Sequence, residues 1–390
     1  MCLSENKLKL DILIGEKMRI VVNDIAASKT GALSVLKDFY DCVLANDKEN
    51  EWIFILGDDL LQEKDNIKII LRKDVKAGWG NRLKFELLNG AEFLEDLKPD
   101  VVLSLQNTMP RNYRGKQVLY VHQPLGYQDS KSFSLFKRTE REYAIYQKFI
   151  SILINNSVKA ADRVIVQTEW MREAVSKKTG IAVSKISKVL PMVNIPEDLN
   201  IDVETYREKY GVAADKELSN FFFPAGPILY KNHECILEAS EILVKKGITD
   251  FTVSFTVSED EVPYLKHKSL TQVRYLGKIS RQEVFERYKY GVLIFPSYIE
   301  TFGYPPAEAR AVGGLVFASD CPFSREVLKD YKDAYYFDPF NPAELAKLME
   351  QTIRGLIVKR ENTENIVKDN DVNTSWLEVI NIVKEVGMDK

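Results

Sequence analysis

The chain has 390 residues, of which 45 % are hydrophobic and 28 % charged, with a formal net charge of −3. That length exceeds one ordinary domain and suits two globular ones, and the bulk charge offers nucleic acid no attraction. Four scattered cysteines (Cys2, Cys42, Cys235, Cys321) and only three histidines (His122, His233, His267) argue against a disulfide framework or a zinc centre and fit a reducing cytosol.

The first seventeen residues lack the apolar core of a signal peptide and are read as a peripheral extension. Short apolar, β-branched runs then alternate with amphipathic stretches. Strands are predicted at 19–23 (RIVVN), 52–56 (WIFIL), 67–71 (IKIIL), 100–104 (DVVLS), 117–122 (QVLYVH) and 163–167 (RVIVQ), with a helix over 31–45. Almost wholly apolar strands are those covered on both faces, and strand–helix–strand alternation implies parallel pairing. The longest run suggesting a membrane span, 149–154, is far short of the ~20 residues required. The stretch 132–155 places Phe136, Tyr143, Ile150 and Leu153 beside Lys131, Lys137, Arg138, Arg141 and Lys148. It reads first as a helix packed on the sheet, and second as a basic amphipathic helix able to lie on an anionic membrane.

The alternation pauses at 190–202, which reads as a linker, and then restarts. Strands are predicted at 220–224, 251–256, 291–295, 315–319 and 334–337, and helices at 231–246, 281–290, 305–312 and 342–356. The chain is therefore α/β, two Rossmann-like doubly wound halves facing across a cleft. Ligands of such sheets bind beyond the carboxyl ends of the strands. The domains are set at 1–195 and 196–390, with the last helix open to packing back on the first domain.

The most informative segment is 295–314, FPSYIETFGYPPAEARAVGG. A buried strand ends, and a polar loop holds Glu300, Thr301, Phe302 and Gly303. A helix then opens with Pro305 and Pro306, and Glu308 is expected in its first turn. Free N–H groups at a helix start attract anions; with two donors lost to proline, Phe302, Gly303 and Tyr304 remain. Carboxylates at a strand end accept hydrogen bonds from vicinal hydroxyls. Upstream, in 221–239, a strand runs into the Gly226-Pro227 turn and then Lys231, expected to open a helix and meet a diphosphate as a point charge.

Glu300 and Glu308, with seven residues between them and Phe302-Gly303 inside, resemble the signature of retaining glycosyltransferases of family four, of the type that builds bacterial polysaccharides and glycans. The resemblance runs roughly from 18 to 345 and implies the GT-B fold. It implies that Glu308 holds the nucleotide ribose, that Glu300 contacts the transferred sugar, and that the backbone at Phe302 and Gly303 touches sugar or diphosphate, with Thr301 and Tyr304 counted in the same donor site. Lys231 becomes the principal phosphate contact and a catalytic candidate. The family's arginine after the turn glycine is replaced here by Pro227, so Lys231 works alone or with another cation such as Arg325. Segment 273–280 (VRYLGKIS) resembles the part that packs under the base, with backbone near Lys278 and Ile279 reading its edge.

In the first half, Gly31 in SKTGALSVL (28–36) resembles the family's glycine loop near the donor phosphates, and His122 ends a central strand where family members contact the donor sugar. A three-glycine dinucleotide fingerprint is absent, so NAD binding is not expected. The Asp58-Asp59 pair reads as a turn.

Together these imply an enzyme moving a hexose-type sugar from a UDP- or GDP-sugar to a glycan or lipid-linked acceptor, with retention. No metal and no cofactor are called for, since the nucleotide sugar is a substrate. The setting implied is cytoplasmic, with peripheral contact at the inner membrane face through 131–155 as the open question. The alternatives are a non-catalytic partner subunit, a phosphorylase, or a nucleotide-sugar epimerase.

Overall fold

The structure, a computed structural model, describes residues 17–27, 31–265, 270–360 and 372–389. His267, most of the N-terminal extension and the loop just before Gly31 lie outside these.

The first half is a seven-stranded parallel sheet of β1 (Arg19–Asp24), β2 (Glu51–Leu56), β3 (Ile67–Leu71), β4 (Val101–Ser104), β5 (Gln117–Tyr120), β6 (Arg163–Val166) and β7 (Ile186–Lys188), in the order 3-2-1-4-5-6-7. The second half repeats the plan with β8 (Asn220–Phe223), β9 (Thr252–Phe255), β10 (Val273–Tyr275), β11 (Val292–Phe295), β12 (Leu315–Ser319) and β13 (Ala334–Phe337), in the order 10-9-8-11-12-13. Each sheet is doubly wound, and the pair of them is the GT-B architecture. The central strands β4, β5 and β11 are buried at every residue, which is why their sequences carry no polar face.

The last helix, Val372–Met388, leaves the second half and packs on the first. Val379, Ile380, Val383 and Val386 join the core that contains Trp52, Phe39 and Val118. The Trp376 ring lies 5.5 Å from that of Phe39 and 5.8 Å from that of Tyr120. At Gly387 an added Cβ would stand 3.1 Å from both Met18 and Val101, so a larger residue would have to push these side chains aside. Burying a large apolar side chain is worth about 1.5–3 kcal/mol, so this helix is held firmly on the first half.

In the stretch 132–155 the helix begins only at Arg141, passes through a π turn at Tyr146–Ile150 and continues as Ser151–Ala160. Ala144, Ile154 and Val158 face the interior, while Phe136, Ile145, Phe149 and Ile152 face outward. Among the described residues no helix is long and apolar enough to cross a membrane.

His233 starts the helix His233–Lys245 and is fully buried between the rings of Phe223 and Phe255 at 4.9 and 5.1 Å. Burial pushes its pKa down from 6.5 to about 4. The unfolded chain therefore takes up a proton in that window which the folded chain refuses, so stability is full above 6.5 and is lost as pH falls toward 4. Thermal melts should show the midpoint dropping across this window in wild type, and His233→Phe should flatten that part of the slope; an unchanged slope would assign the acid sensitivity elsewhere.

Candidate active site

The loop after β11 is shaped by Gly303, whose φ of +88° is left-handed. A Cβ there would also press on the Phe295 ring at 3.3 Å. This turn starts the helix at Tyr304, with Pro305 and Pro306 in its first turn. Because the helix spans Tyr304–Ala311, Glu308 sits in its second turn and not, as expected, its first. It is buried, with Oε2 accepting from the Tyr288 hydroxyl at 3.1 Å and Oε1 lying 3.1 Å from Arg281 Nη2. Burial raises its pKa, and Arg281 and Tyr288 pull it back. Arg281 also donates to the Asn194 carbonyl in the linker at 2.6 Å. Sequence reasoning placed Arg281 at the start of the helix 281–290, as observed behind the capping box of Ser280 and Glu283, but gave it no part in the site.

Lys231 does not open the helix either. It ends a 3-10 turn, Leu229–Lys231, and Asn232 follows with φ +65°. Asparagine tolerates that conformation, and here its Nδ2 donates to the carbonyls of Pro339 at 2.8 Å and Pro296 at 3.3 Å. The turn is thereby tied to the ends of β13 and β11. Lys231 Nζ then reaches Glu300 Oε1 at 2.5 Å, with both side chains more than four-fifths covered. Nothing lies within 4 Å of the Cβ position of Gly226, which leaves open space at that turn. Lys278 is exposed and Ile279 packs on the second core, after Gly277 at φ +65°. Arg325 is held by Asp320 at 2.7 and 2.8 Å and lies 3.7 Å over the Tyr336 ring. Asp58 of the Asp58-Asp59 pair binds Lys76 Nζ at 2.6 Å.

The site loop is also held by the other half. The Thr301 carbonyl accepts from Thr168 Oγ1 at 2.7 Å and from Trp170 Nε1 at 3.0 Å, and Thr301 Oγ1 donates to Gln167 at 2.6 Å. Glu326 accepts from the backbone N–H groups of Glu169 and Trp170 at 2.7 and 3.1 Å. A carboxylate from the second domain thus caps the helix Glu169–Thr179 of the first, whose own N-cap Thr168 makes no side-chain cap because its hydroxyl is spent on Thr301.

Beyond the carboxyl ends of β1, β4, β5 and β6 lies a cavity of about 890 Å³, closed on one side by Thr301 and Tyr304 of the second half. His122 lines it. The ring stacks on Tyr120 at 4.1 Å, and Nε2 is buried with no hydrogen-bond partner among the described residues. Burial pushes its pKa down to about 4, against a hydrogen bond to the Leu105 backbone, so the imidazole is neutral. The same cavity is lined by Asp24, pushed up to about 7 by burial against the pull of Arg82 and Lys76, and by Glu86, also raised by burial. Glu300 lines a second, smaller cavity with Trp170, Lys177 and Phe323. The structure thus joins Lys231 to Glu300, sets Glu308 on Arg281, and places His122 with Thr301 and Tyr304. Gly31 begins the helix Gly31–Asn46, and the rest of its loop is outside the described residues.

Residues 206–369 match the family model described as glycosyl transferases group 1. That match lies wholly within the second half of the chain. The O-antigen chain mannosyltransferase RfbU of Salmonella typhimurium (strain LT2) is 26 % identical over 204 residues, covering 50 % of this chain and 52 % of that protein. The chain thus matches about half the length of this curated relative. Among solved structures, a glycosyltransferase from Rickettsia africae ESF-5 superposes with a TM-score of 0.64 at 17 % identity, over 96 % of this chain and 100 % of that one. Anabaena Alr3699/HepE in complex with UDP-glucose gives 0.63 at 15 % identity, over 94 % and 100 %. These likenesses establish the fold. The matched segment contains Lys231, Arg281, Glu300, Thr301 and Glu308, whereas Thr168, Trp170 and Gln167, the partners of Thr301, lie outside it.

Replacing Glu326 by Ala should free the Glu169 and Trp170 amides, and loss of one such cap costs about 1 kcal/mol. Hydrogen exchange at those two amides should then speed up with the rest of the helix unchanged. Equal protection in both proteins would mean the inter-domain contact does not persist in solution.

Proposed function

We propose that the chain transfers a hexose-type sugar from a nucleotide-sugar donor to a glycan or lipid-linked glycan, with retention of configuration and without a metal. The observation that carries this is the pairing, within the segment matched by the group 1 model, of Lys231 with Glu300 at the strand ends, with the buried Glu308 nearby in sequence on Arg281. On this reading the donor diphosphate takes the Lys231 ammonium from Glu300, and Glu300 turns to the hydroxyls of the transferred sugar. The ribose diol takes the Glu308 carboxylate, displacing Arg281. Charge developing on the leaving diphosphate is met by Lys231 and by the N–H groups of Phe302, Gly303 and Tyr304. Neutral His122, with its free Nε2, accepts from a donor-sugar hydroxyl. Lys278 and Ile279 offer backbone to the base.

A UDP donor is favoured by the likeness to HepE, whose structure holds UDP-glucose, and a role in polysaccharide synthesis by the likeness to RfbU. A cytoplasmic enzyme fits the three described cysteines, which are buried and form no disulfide with one another. Peripheral membrane contact through 131–155 is supported by outward-facing Phe136, Phe149 and Ile152 beside Lys137, Arg138 and Lys148.

Lys231→Ala should lower turnover about a hundredfold while donor binding weakens less, because the contact strengthens as the leaving group gains charge. Lys231→Arg should recover part of that loss. Steady-state kinetics with the cognate donor in excess chelator test both the lysine and the absence of a metal. Near-full turnover of Lys231→Ala would refute the role of the lysine, and a metal-reversible loss in wild type would refute the metal-free step.

Separately, Glu308→Ala should weaken nucleotide diphosphate binding by a few kcal/mol, since a carboxylate accepting two hydroxyls is removed. Titration calorimetry showing unchanged affinity would take Glu308 off the ribose.

A further inference from the structure

The large cavity is lined by His122, Thr301 and Tyr304 and, in the first half of the chain, by Asp24, Glu86 and Gln106 together with Trp79 and Tyr146. Asp24 and Glu86 are each more than nine-tenths buried. Glu86 Oε1 accepts from Gln106 at 3.0 Å and from Thr108 at 2.9 Å, but Oε2 has no partner among the described residues. Leaving a buried carboxylate oxygen unpaired costs free energy, and in a cavity this size the deficit is naturally made up by a bound group that donates. The backbone here is fixed for the purpose: Glu86 lies in a π turn, Phe85–Asn89, whose Glu86 carbonyl is pinned by the Arg111 N–H at 2.7 Å. In the same cavity Trp79 and Tyr146 meet edge to face at 6.0 Å, and Trp79 is 61 % exposed. An accessible aromatic pair in one cavity with buried acceptors forms a surface for a molecule with donor hydroxyls on its edge and apolar C–H groups on its face.

We propose that Glu86 and Asp24 are the hydroxyl-binding groups of an acceptor subsite, and that Trp79 and Tyr146 form its stacking wall, so that the acceptor presents a pyranose ring there. This rests on the glycosyltransferase reading above and names the acceptor side of the same cleft. Arg82 lines the same cavity, and its positive charge offsets part of the effect of burial, which raises the pKa of both carboxyls. Lys76, the other cation near Asp24, is engaged by Asp58 and the Ala27 carbonyl and is not available to a ligand. A neutral sugar therefore fits better than an anionic headgroup.

The test uses the full chain and p-nitrophenyl glycosides of glucose, galactose, mannose and N-acetylglucosamine, in both anomers, observed by saturation-transfer NMR with UDP or GDP present. At least one glycoside is expected to bind. Glu86→Gln, which keeps shape, and Trp79→Ala, which alters an exposed side chain, should each weaken it about tenfold. UDP and GDP affinity should stay the same in both variants, which shows that they fold and that the donor site is intact. The proposal is overturned if no glycoside receives saturation, or if the variants bind the glycoside as well as wild type does. Absence of nucleotide binding in wild type would instead strike the donor reading, leaving the glycoside result to stand or fall alone.

Discussion

The Thr301 carbonyl oxygen accepts two hydrogen bonds from the opposite domain, and the geometry of the cleft depends on them. Thr301 follows Glu300, so the residue whose neighbour is paired to Lys231 is also the residue gripped by Thr168, Gln167 and Trp170. A loop built on a polar run would ordinarily be mobile. Here its backbone is fixed at one end by left-handed Gly303 against Phe295 and in the middle by the other domain. Preorganisation of this kind lets a few charged groups act on a leaving group without first being assembled.

The second constraint is electrostatic. Neither Glu300 nor Glu308 waits as a bare carboxylate: one is paired with Lys231 and the other with Arg281 and Tyr288. A buried, unpaired charge would be costly, and these partners remove that cost. On the function proposed above, a nucleotide sugar would bring hydroxyls for the carboxylates and phosphates for the lysine, exchanging one satisfied set for another. Arg281 adds reach, because the same guanidinium holds the linker carbonyl of Asn194. Release of Arg281 from Glu308 would therefore be felt where the two domains are joined.

Much of the fold was legible because a parallel sheet covered on both faces demands apolar runs, and WIFIL and VLIF have no other use. The strands that escaped notice or were only glimpsed, β7 and β10, are three residues each and only partly buried. The pair of glutamates was legible from spacing and the loop between them. Helix starts were misplaced by one or two residues, because Gly303 and Asn232 adopt left-handed turns that no periodicity reveals. The inter-domain latch joins positions 133 apart and has no local pattern. Asp24 and Glu86 look like any surface acid in the chain; only the fold shows that they are buried at the edge of one cavity.

Diffraction from crystals soaked with UDP tests the central claim most directly. The account predicts the diphosphate within hydrogen-bond distance of Lys231 Nζ, the ribose diol on Glu308, and the Arg281 side chain moved off that carboxylate. A nucleotide seated elsewhere, with the Glu308–Arg281 and Glu300–Lys231 pairs both intact, would contradict it.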